Sequence, residues 1–222
     1  STNPGWSFNG WSGDLSGSLN PAFLTMDANK AVTATFTQNE YTLSVNVVGS
    51  GSVMKNPDQA SYHFGDVVGL TATPESGWTF SHWSGDLTGS TNPASITMNG
   101  DASVSAVFTQ NEYTLTVIVV GSGSVMKVPD QGTYHSGDVV TLTATPDLGW
   151  SFDQWSGDLT GSLNPTVITI DGNKIVTATF VQEEYTLLVS TVGSGSVVKI
   201  PDQTTYLFND IVQLTATADP GW

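Results

Sequence analysis

The sequence predicts an all-β fold made of tandem, small β-sandwich-like units of about 72 residues, with no substantial helix. Three observations lead to this prediction. Apolar and polar residues alternate with period two, Gly and Pro separate the alternating runs, and the same order of short motifs returns at a fixed spacing. No segment shows the period of about 3.6 residues that an amphipathic helix would give.

Each predicted strand is a short run rich in β-branched and aromatic residues, which suit a pleated, half-buried surface. In the run YTLSVNV, the side chains of Tyr41, Leu43, Val45 and Val47 fall on one face. The runs VVGLTAT, SITM and ASVSAVF alternate in the same way. Strands are therefore predicted at residues 41–47, 53–55, 67–73, 95–98 and 102–108.

The turns between these strands carry Gly, Pro and Asp at regular positions. The segment Gly49-Ser50-Gly51-Ser52 separates the first two strands, and it predicts a hairpin between them. Further turns are predicted at Pro57-Asp58 and Gly65-Asp66, and at residues 74–77 and 85–93. Five or six strands are expected in each unit.

The tryptophans set the repeat length. Trp6, Trp78, Trp150 and Trp222 are 72 residues apart each time. A period this strict indicates one structural unit copied in tandem. The polar links at residues 109–112 and 181–184 suggest where units meet. Complete units are thus expected at 41–110 and 113–182, with the back half of a unit at 1–38 and the front half of another at 185–222.

Composition excludes several classes of function. The chain has 20 acidic residues against five Lys or Arg, for a net charge of -15. Binding to nucleic acid or to an anionic membrane surface needs clustered basic residues, so both are disfavoured. The absence of cysteine excludes disulfides and thiolate zinc sites. No apolar run reaches the roughly 18 residues of a membrane span.

The large aromatic residues are interpreted mainly as packing residues, because a unit of about 70 residues buries a core only marginally. An exposed aromatic platform that stacks on sugars is the alternative. The residues assigned to the core of the repeat are Trp6, Trp11, Tyr41, Trp78, Phe80, Trp83, Phe108, Tyr113, Trp150, Phe152, Trp155, Phe180 and Tyr185.

The motif SGDL after the second tryptophan is typical of a turn. Its aspartate is Asp14, Asp86 or Asp158 in the three copies, and we expect this side chain to cap backbone N–H groups. Calcium is the alternative for Asp86 with Asn92 and for the acidic loops at residues 27–29, 99–101 and 171–173. No known calcium-loop spacing is present, so no cofactor or metal is assigned.

No catalytic set repeats with the units. His63 and His135 occupy the same position, but Leu207 stands there in the next copy, so a histidine ligand or base is not expected. No nucleophile motif is present, and we expect no enzyme activity. Lys55, Lys127 and Lys199 recur in all three copies. A surface salt bridge is the simpler interpretation, and an isopeptide cross-link is the alternative.

Five motifs in fixed order carry a resemblance to a known family. They are Y-T-L-x-V, G-S-G-S-V, Y-x-x-G-D-x-V-x-L-T-A-T-P, G-W-x-F-x-x-W-S-G-D and V-T-A-x-F. This order resembles the divergent internalin-type B-repeat of bacterial and archaeal surface proteins, and the resemblance covers essentially the whole chain. It implies a small extracellular β-rich module, β-grasp-like in the better-known members, with spacer, adhesive or cell-surface roles and no catalytic residues.

Two functions are therefore expected. The first is an extracellular stalk or filament that associates head to tail or continues as a longer repeat chain, with the half units completed by neighbouring repeats or copies. The second is a multivalent adhesin that binds a glycan or protein ligand through its repetition. The second predicts the same exposed cluster on every unit.

Overall fold

The computed structural model describes residues 3–222 and places them in 20 β-strands and no helix. The strands fall into two compact units, one ending at Asn111 and the other beginning at Glu112. Each of these two compact units is larger than a single 72-residue repeat, and it contains one complete repeat and one incomplete repeat. In the part of the chain described, no helix is long and apolar enough to cross a membrane.

The complete repeat of the first unit contains two three-stranded sheets. One sheet has the order β4-β10-β8, and the other has the order β5-β7-β9. Strands β3 and β6 form a further, separate two-stranded pair. The strands are β3 (Glu40–Tyr41), β4 (Leu43–Val48), β5 (Gly51–Asn56), β6 (Tyr62–His63), β7 (Val67–Pro74), β8 (Trp78–Gly85), β9 (Ala94–Thr97) and β10 (Ala102–Gln110).

The incomplete repeat of the first unit is a single antiparallel pair, β1 (Trp6–Gly13) with β2 (Val32–Gln38). These two strands correspond to β8 and β10 of the complete repeat, 72 residues further along. The half repeat therefore contains the counterparts of β8 and β10 but not that of β4. Among residues 3–38, no strand corresponds to the sheet β5-β7-β9.

The second unit repeats this architecture and then begins another copy. Its complete repeat has the sheets β11-β16-β14 and β12-β13-β15, and its incomplete repeat has the pairs β17-β19 and β18-β20. The strands are β11 (Leu115–Val120), β12 (Gly123–Val128), β13 (Val139–Pro146), β14 (Trp150–Gly157), β15 (Thr166–Thr169), β16 (Lys174–Gln182), β17 (Glu184–Tyr185), β18 (Gly195–Ile200), β19 (Tyr206–Leu207) and β20 (Gln213–Ala218).

The core of each complete repeat lies between its two sheets. In the first unit, the buried side chains of β7 (Val68, Leu70 and Ala72) pack in one cluster with those of β10. The period-two alternation predicted these faces, because every second residue of each strand points inward. The all-β prediction is confirmed, and the arrangement is sandwich-like, with no helix of the β-grasp type among residues 3–222.

The predicted hairpin at Gly49 is wrong. Strands β4 and β5 flank this turn but belong to different sheets, so the chain crosses from one layer of the sandwich to the other. Strand β4 instead pairs in parallel with β10, from Leu43 opposite Ala102 to Val48 opposite Val107. A hairpin signal in the sequence reports the turn, but it does not report which strand is the partner.

Candidate functional site

The aromatic motif G-W-x-F-x-x-W folds around a β-bulge. Phe80 and Trp83 are three residues apart, so a regular strand would point them to opposite faces. Strand β8 has one extra residue at Ser81, because Phe80 pairs with Phe108 while His82 pairs with Val107. The bulge brings both rings to the core side, with centroids 5.0 Å apart. The same pair lies at 4.9 Å in Phe152 and Trp155.

The second tryptophan of the motif is enclosed in the complete repeats. Trp83 and Trp155 are each 1% exposed. The indole Nε1 of Trp83 donates to the carbonyl of Thr91 at 2.9 Å, and that of Trp155 donates to Leu163 at 2.9 Å. A sugar-stacking platform needs an accessible ring face, and these two rings do not present one.

The other residues assigned to the core divide by burial. Phe108 and Phe180 are buried, whereas Trp11, Tyr41, Trp78, Phe80, Tyr113, Trp150 and Phe152 are half-buried. The assignment of Trp6 and Tyr185 to the core is wrong, because these side chains are 42% and 44% exposed. Both lie in incomplete repeats, where the strands that cover their counterparts are missing.

The repeated aspartate of the SGDL motif links two strands. Oδ2 of Asp86 accepts from the backbone N–H of Ser103 at 2.7 Å, and Asp158 accepts from Ile175 at 2.6 Å. Asp14 makes the same bond to Ala31 at 2.7 Å. The N–H that Asp86 caps lies 17 residues away, near the start of the neighbouring strand β10, so the cap joins two strands and is not local to the turn.

Asn92 and Asn164 have a role that the sequence did not reveal. Oδ1 of Asn92 accepts from Ala72 N at 2.9 Å, and its Nδ2 donates to Ala72 O at 2.7 Å. The side chain thus substitutes for a neighbouring strand where β9 does not reach. Asn164 repeats both bonds with Ala144. The recurrence of Asn-Pro at the repeat spacing was the one available signal.

The proposed calcium loops use their oxygens to hold the chain. Oδ1 of Asp101 accepts from the backbone N–H and hydroxyl of Thr42 at 2.8 and 3.0 Å. The backbone hydrogen bond is the main reason that the pKa of Asp101 is lowered. In the next copy, Oδ1 of Asn173 accepts from Thr114 N at 2.9 Å. Among residues 3–222, no three His, Cys, Asp or Glu residues cluster as metal ligands.

The turn that carries His63 is held by an aspartate. Oδ2 of Asp66 accepts from the backbone N–H of His63 at 2.8 Å, and Asp210 accepts from Leu207 N at the same distance. Because the bond involves the main chain, this turn forms equally well with histidine or leucine at its first residue. The loss of the histidine in the last copy therefore has a structural explanation.

The recurrent lysines form salt bridges with an aspartate three residues later. The Nζ–Oδ1 distance is 2.8 Å for Lys55 with Asp58, for Lys127 with Asp130 and for Lys199 with Asp202. The hydrogen bond that Lys55 donates to Asp58 raises the pKa of Lys55. An isopeptide bond requires an unprotonated amine, so this shift disfavours the chemistry.

Consecutive repeats contact each other within each unit through a glycine and a phenylalanine. In the first unit, a Cβ placed on Gly5 would lie 2.3 Å from Cβ of Phe64. In the second unit, the corresponding distance from Gly149 to Phe208 is 2.2 Å. Both glycines are buried and have positive φ, 78° in each case. A side chain at either position would be strained and would displace the ring.

Main-chain bonds tie each junction glycine to the link that ends its own repeat. Asn39 N donates to Gly5 O at 2.7 Å, and Glu183 N donates to Gly149 O at 2.8 Å. The link then pairs with the following repeat, as β3 with β6 in the first unit and as β17 with β19 in the second. Each junction is thus a small interface in its own right, built from the same positions of the repeat.

A comparison with protein families matches three consecutive segments of the chain. The family described as the divergent InlB B-repeat domain matches residues 1–40, 41–112 and 113–184. No curated protein matches the chain.

Proposed function

We propose that this chain, which belongs to the divergent InlB B-repeat family, is a structural extracellular repeat protein of a cell-surface stalk or filament and is not an enzyme. The family suggests a surface repeat protein. In this proposal the incomplete repeats are completed by neighbouring repeats or copies, and no cofactor is required.

The observation that carries the proposal is the recurrence of the junction. Gly5 with Phe64 and Gly149 with Phe208 use the same two positions of successive repeats. Two of the three junctions between repeats therefore share this contact, whereas Ser136 replaces the phenylalanine at the third. Repeats that are joined by a fixed contact suit a spacer. A set of independent binding modules would need only flexible links.

The use of polar side chains also supports a structural role. The repeated Asp, Asn and Lys residues discussed above bond to the chain itself, through turns, strand caps and salt bridges. Asp86, Asn92 and Asp66 each hold a main-chain group of a different segment or turn. Because these positions repeat with the fold, their recurrence is explained by folding without a shared ligand.

The stalk proposal is tested by adding whole periods. We would compare the maximum dimension, by small-angle X-ray scattering, of the chain with that of chains carrying one and two extra copies of residues 113–184. A stalk predicts a constant increment per period, on the order of 30 Å for a sandwich with strands of this length. Monomer mass must be verified for each sample by light scattering. Increments that vanish or vary between additions would refute it.

The surface location needs a separate test in the source cells. An antibody raised against the chain should label intact cells, and external protease should remove the signal. Antibody access only after permeabilisation would contradict the proposed location. A second antibody, against an intracellular protein, is the control, because it should label cells only when their membrane is damaged.

The multivalent adhesin remains the alternative function, and it requires one exposed cluster to recur on each repeat. An apolar cleft of about 200 Å³ is lined by Thr141, Leu163, Pro165, Thr166 and Val167. In the preceding copy the corresponding residues are Gly69, Thr91, Pro93, Ala94 and Ser95. The apolar side chains Leu163 and Val167 are thus replaced by Thr91 and Ser95, so the apolar lining of the cleft does not recur in that copy. Saturable binding on a glycan array that grows with repeat number would favour the adhesin.

A further inference from the structure

The turn that follows strand β9 in the first complete repeat contains the dipeptide Asn99-Gly100. Asparagine is among the chemically labile residues, and a following glycine has no Cβ to shield its backbone nitrogen or to restrict the backbone around it. We infer that Asn99 is a site of spontaneous deamidation, with water as the only co-reactant. This inference does not depend on the proposed stalk function.

The reaction joins two neighbouring groups of the chain, so it needs no encounter between molecules. The backbone nitrogen of Gly100 attacks Cγ of Asn99, and the new C–N bond closes a succinimide ring. The Cγ–Nδ2 bond breaks, and ammonia leaves with the proton of the Gly100 amide. Water then opens the ring. Opening at Cγ gives aspartate, and opening at the main-chain carbonyl gives isoaspartate, whose main chain passes through Cγ. Nothing is oxidised or reduced.

Both reacting groups are accessible in the folded chain. Asn99 is exposed and lies in a bend between β9, which ends at Thr97, and β10, which begins at Ala102. Nothing lies within 4 Å of a Cβ placed on Gly100. Among residues 3–222, neither the Asn99 carboxamide nor the Gly100 N–H is hydrogen-bonded to another residue. Closing the ring therefore breaks no hydrogen bond of the fold.

The second complete repeat has Asp171-Gly172 at this position. Aspartate forms the same ring only by losing water, and an ionised carboxylate resists attack by the nitrogen. Nζ of Lys174 lies 2.5 Å from Oδ1 of Asp171, and the hydrogen bond from this lysine lowers the pKa of Asp171. The lysine position is Ala102 in the first copy. We therefore expect the reaction at Asn99 and not at Asp171.

The same dipeptide occurs again as Asn9-Gly10, but there it lies within strand β1. Asn9 is the extra residue of a bulge, and both of its neighbours are paired, Phe8 with Phe36 and Gly10 with Thr35. Ring closure requires the backbone to rotate out of its extended conformation, and the pairing on both sides opposes this rotation. Asn9 should therefore react more slowly than Asn99.

The isoaspartate product alters a turn that is held on both sides. Before the turn, Met98 N donates to Asp66 O and Met98 O accepts from Gly65 N, both at 2.8 Å. After the turn, Oδ1 of Asp101 accepts from the backbone N–H and the hydroxyl of Thr42, at 2.8 and 3.0 Å. Isoaspartate adds one carbon atom to the main chain between Met98 and Asp101. The added length should shift Asp101 and loosen its bonds to Thr42.

Ageing of the full chain at mildly alkaline pH tests the inference, because the attacking nitrogen must first lose its proton. Conversion of one asparagine raises the mass by about one dalton, and fragmentation by electron transfer locates the site and separates isoaspartate from aspartate. Asn99 should be converted ahead of Asn9, and Asp171 should stay unchanged. In denaturant, where no strand pairing protects Asn9, the two asparagines should react at similar rates.

Gly100→Ala is the control for the mechanism. Alanine fits at this position, because nothing surrounds its Cβ and the φ of Gly100 lies outside the left-handed range. The variant should slow conversion of Asn99 by roughly tenfold, since the Cβ shields the nitrogen and restricts the backbone.

Hydrogen exchange measures the structural effect. Exchange at Thr42 N–H should quicken by roughly tenfold in the isoaspartate form, because a lost hydrogen bond lowers local protection. Thr114 N–H, which donates to Asn173 at 2.9 Å, is the internal reference. Asn99→Asp carries the charge of the product without the added carbon and should leave exchange at Thr42 unchanged.

The outcomes are distinct. Conversion of Asn99 ahead of Asn9, slowed by Gly100→Ala and followed by faster exchange at Thr42, supports the inference. Conversion that is no faster at Asn99 than at Asn9, or that Gly100→Ala leaves unchanged, overturns it. Equal exchange at Thr42 before and after ageing, or equal acceleration in Asn99→Asp, overturns the effect assigned to the added carbon. The stalk proposal is judged separately by the scattering increment per added period.

Discussion

The carboxamide of Asn92 forms two hydrogen bonds with Ala72, at 2.9 Å to its N–H and 2.7 Å from its carbonyl. This pair continues the hydrogen bonding of strand β7 past Ala94, the first residue of its partner β9. Strand β9 pairs with β7 only from Val67 to Leu70. The side chain of Asn92 thus takes the place of a neighbouring strand beside Ala72, which lies in the central strand of the sheet β5-β7-β9.

Asn92→Asp should destabilise the first complete repeat more than its small change in size suggests. The carboxylate has no donor for Ala72 O and would repel it, and leaving a part-buried backbone group unsatisfied costs about 1–3 kcal/mol. Thermal unfolding followed by circular dichroism would measure the loss. Asn46→Asp, an exposed position on β4, makes the same chemical change without this pair. Equal losses in the two variants would show that the pair contributes nothing specific.

Deletion of Ser81 should leave the aromatic core formed, as Ser81→Ala should. Ser81 is the extra residue of the bulge, and the pairs on either side of it, Phe80 with Phe108 and His82 with Val107, are already consecutive on β10. Without Ser81, Phe80 and Trp83 are two residues apart, and a regular strand places both rings on the same face. The tryptophan indole N–H signals in NMR spectra would report whether the rings stay packed. Loss of native-like dispersion in the deletion variant would contradict this account of the motif.

The sequence predicted strand faces well because burial on one side of a sheet imposes period two. Val68, Leu70 and Ala72 alternate in the sequence and are all buried. It failed on the partner of β4, because parallel pairing with β10 joins residues 59 positions apart, such as Leu43 and Ala102. Local signals such as the turn at Gly49 carry no information about such a contact.

The polar roles were only partly accessible from the sequence. An aspartate in a Gly-Asp turn suggested a cap, but Asp86 reaches Ser103 because the bulged β8 and β10 are neighbours. Asn92 looked like a loop residue beside Pro93, and its function depends on how far β9 extends. Trp6 and Tyr185 were misassigned because a motif predicts burial only where the rest of its repeat is present.

Asp101 should give the first complete repeat an acid-sensitive bond to Thr42, whereas the equivalent bond in the second repeat does not titrate. Its pKa is lowered, mainly by the hydrogen bond from Thr42 N. A lowered folded-state pKa gives stability that is fully present above the unfolded value of 3.8 and is lost as pH falls through the folded value. Asn173 makes the equivalent bond without a titrating group.

The test compares Asp101→Asn with the unmodified chain below pH 4. The variant keeps an acceptor oxygen for Thr42 but lacks the charge, so near neutral pH it should lose the part of the stability that ionised Asp101 contributes, and this part of the acid dependence should disappear. Asn173→Asp is the reciprocal variant and should introduce it in the second repeat. If the carboxyl carbon of Asp101 titrates in NMR spectra at or above 3.8, the assigned role of the bond is wrong.

Gly149→Ala should uncouple the last half repeat from the complete repeat before it. The new methyl group would meet Cβ of Phe208 at 2.2 Å, and the backbone at this residue has φ of 78°. Neither the clash nor the strained conformation can be relieved locally, so the junction should open while the core of the complete repeat stays closed. Hydrogen exchange should accelerate at residues 184–185 and 206–207, whose pairing follows the junction. It should stay slow in β13 and β16. Gly172→Ala is the control, because nothing lies within 4 Å of a Cβ there.

Ser136 stands where Phe64 and Phe208 stand in the other copies, so Phe208→Ser tests whether the ring itself holds the junction. Exchange as slow in Phe208→Ser as in the unmodified chain would mean that the main-chain bonds alone suffice.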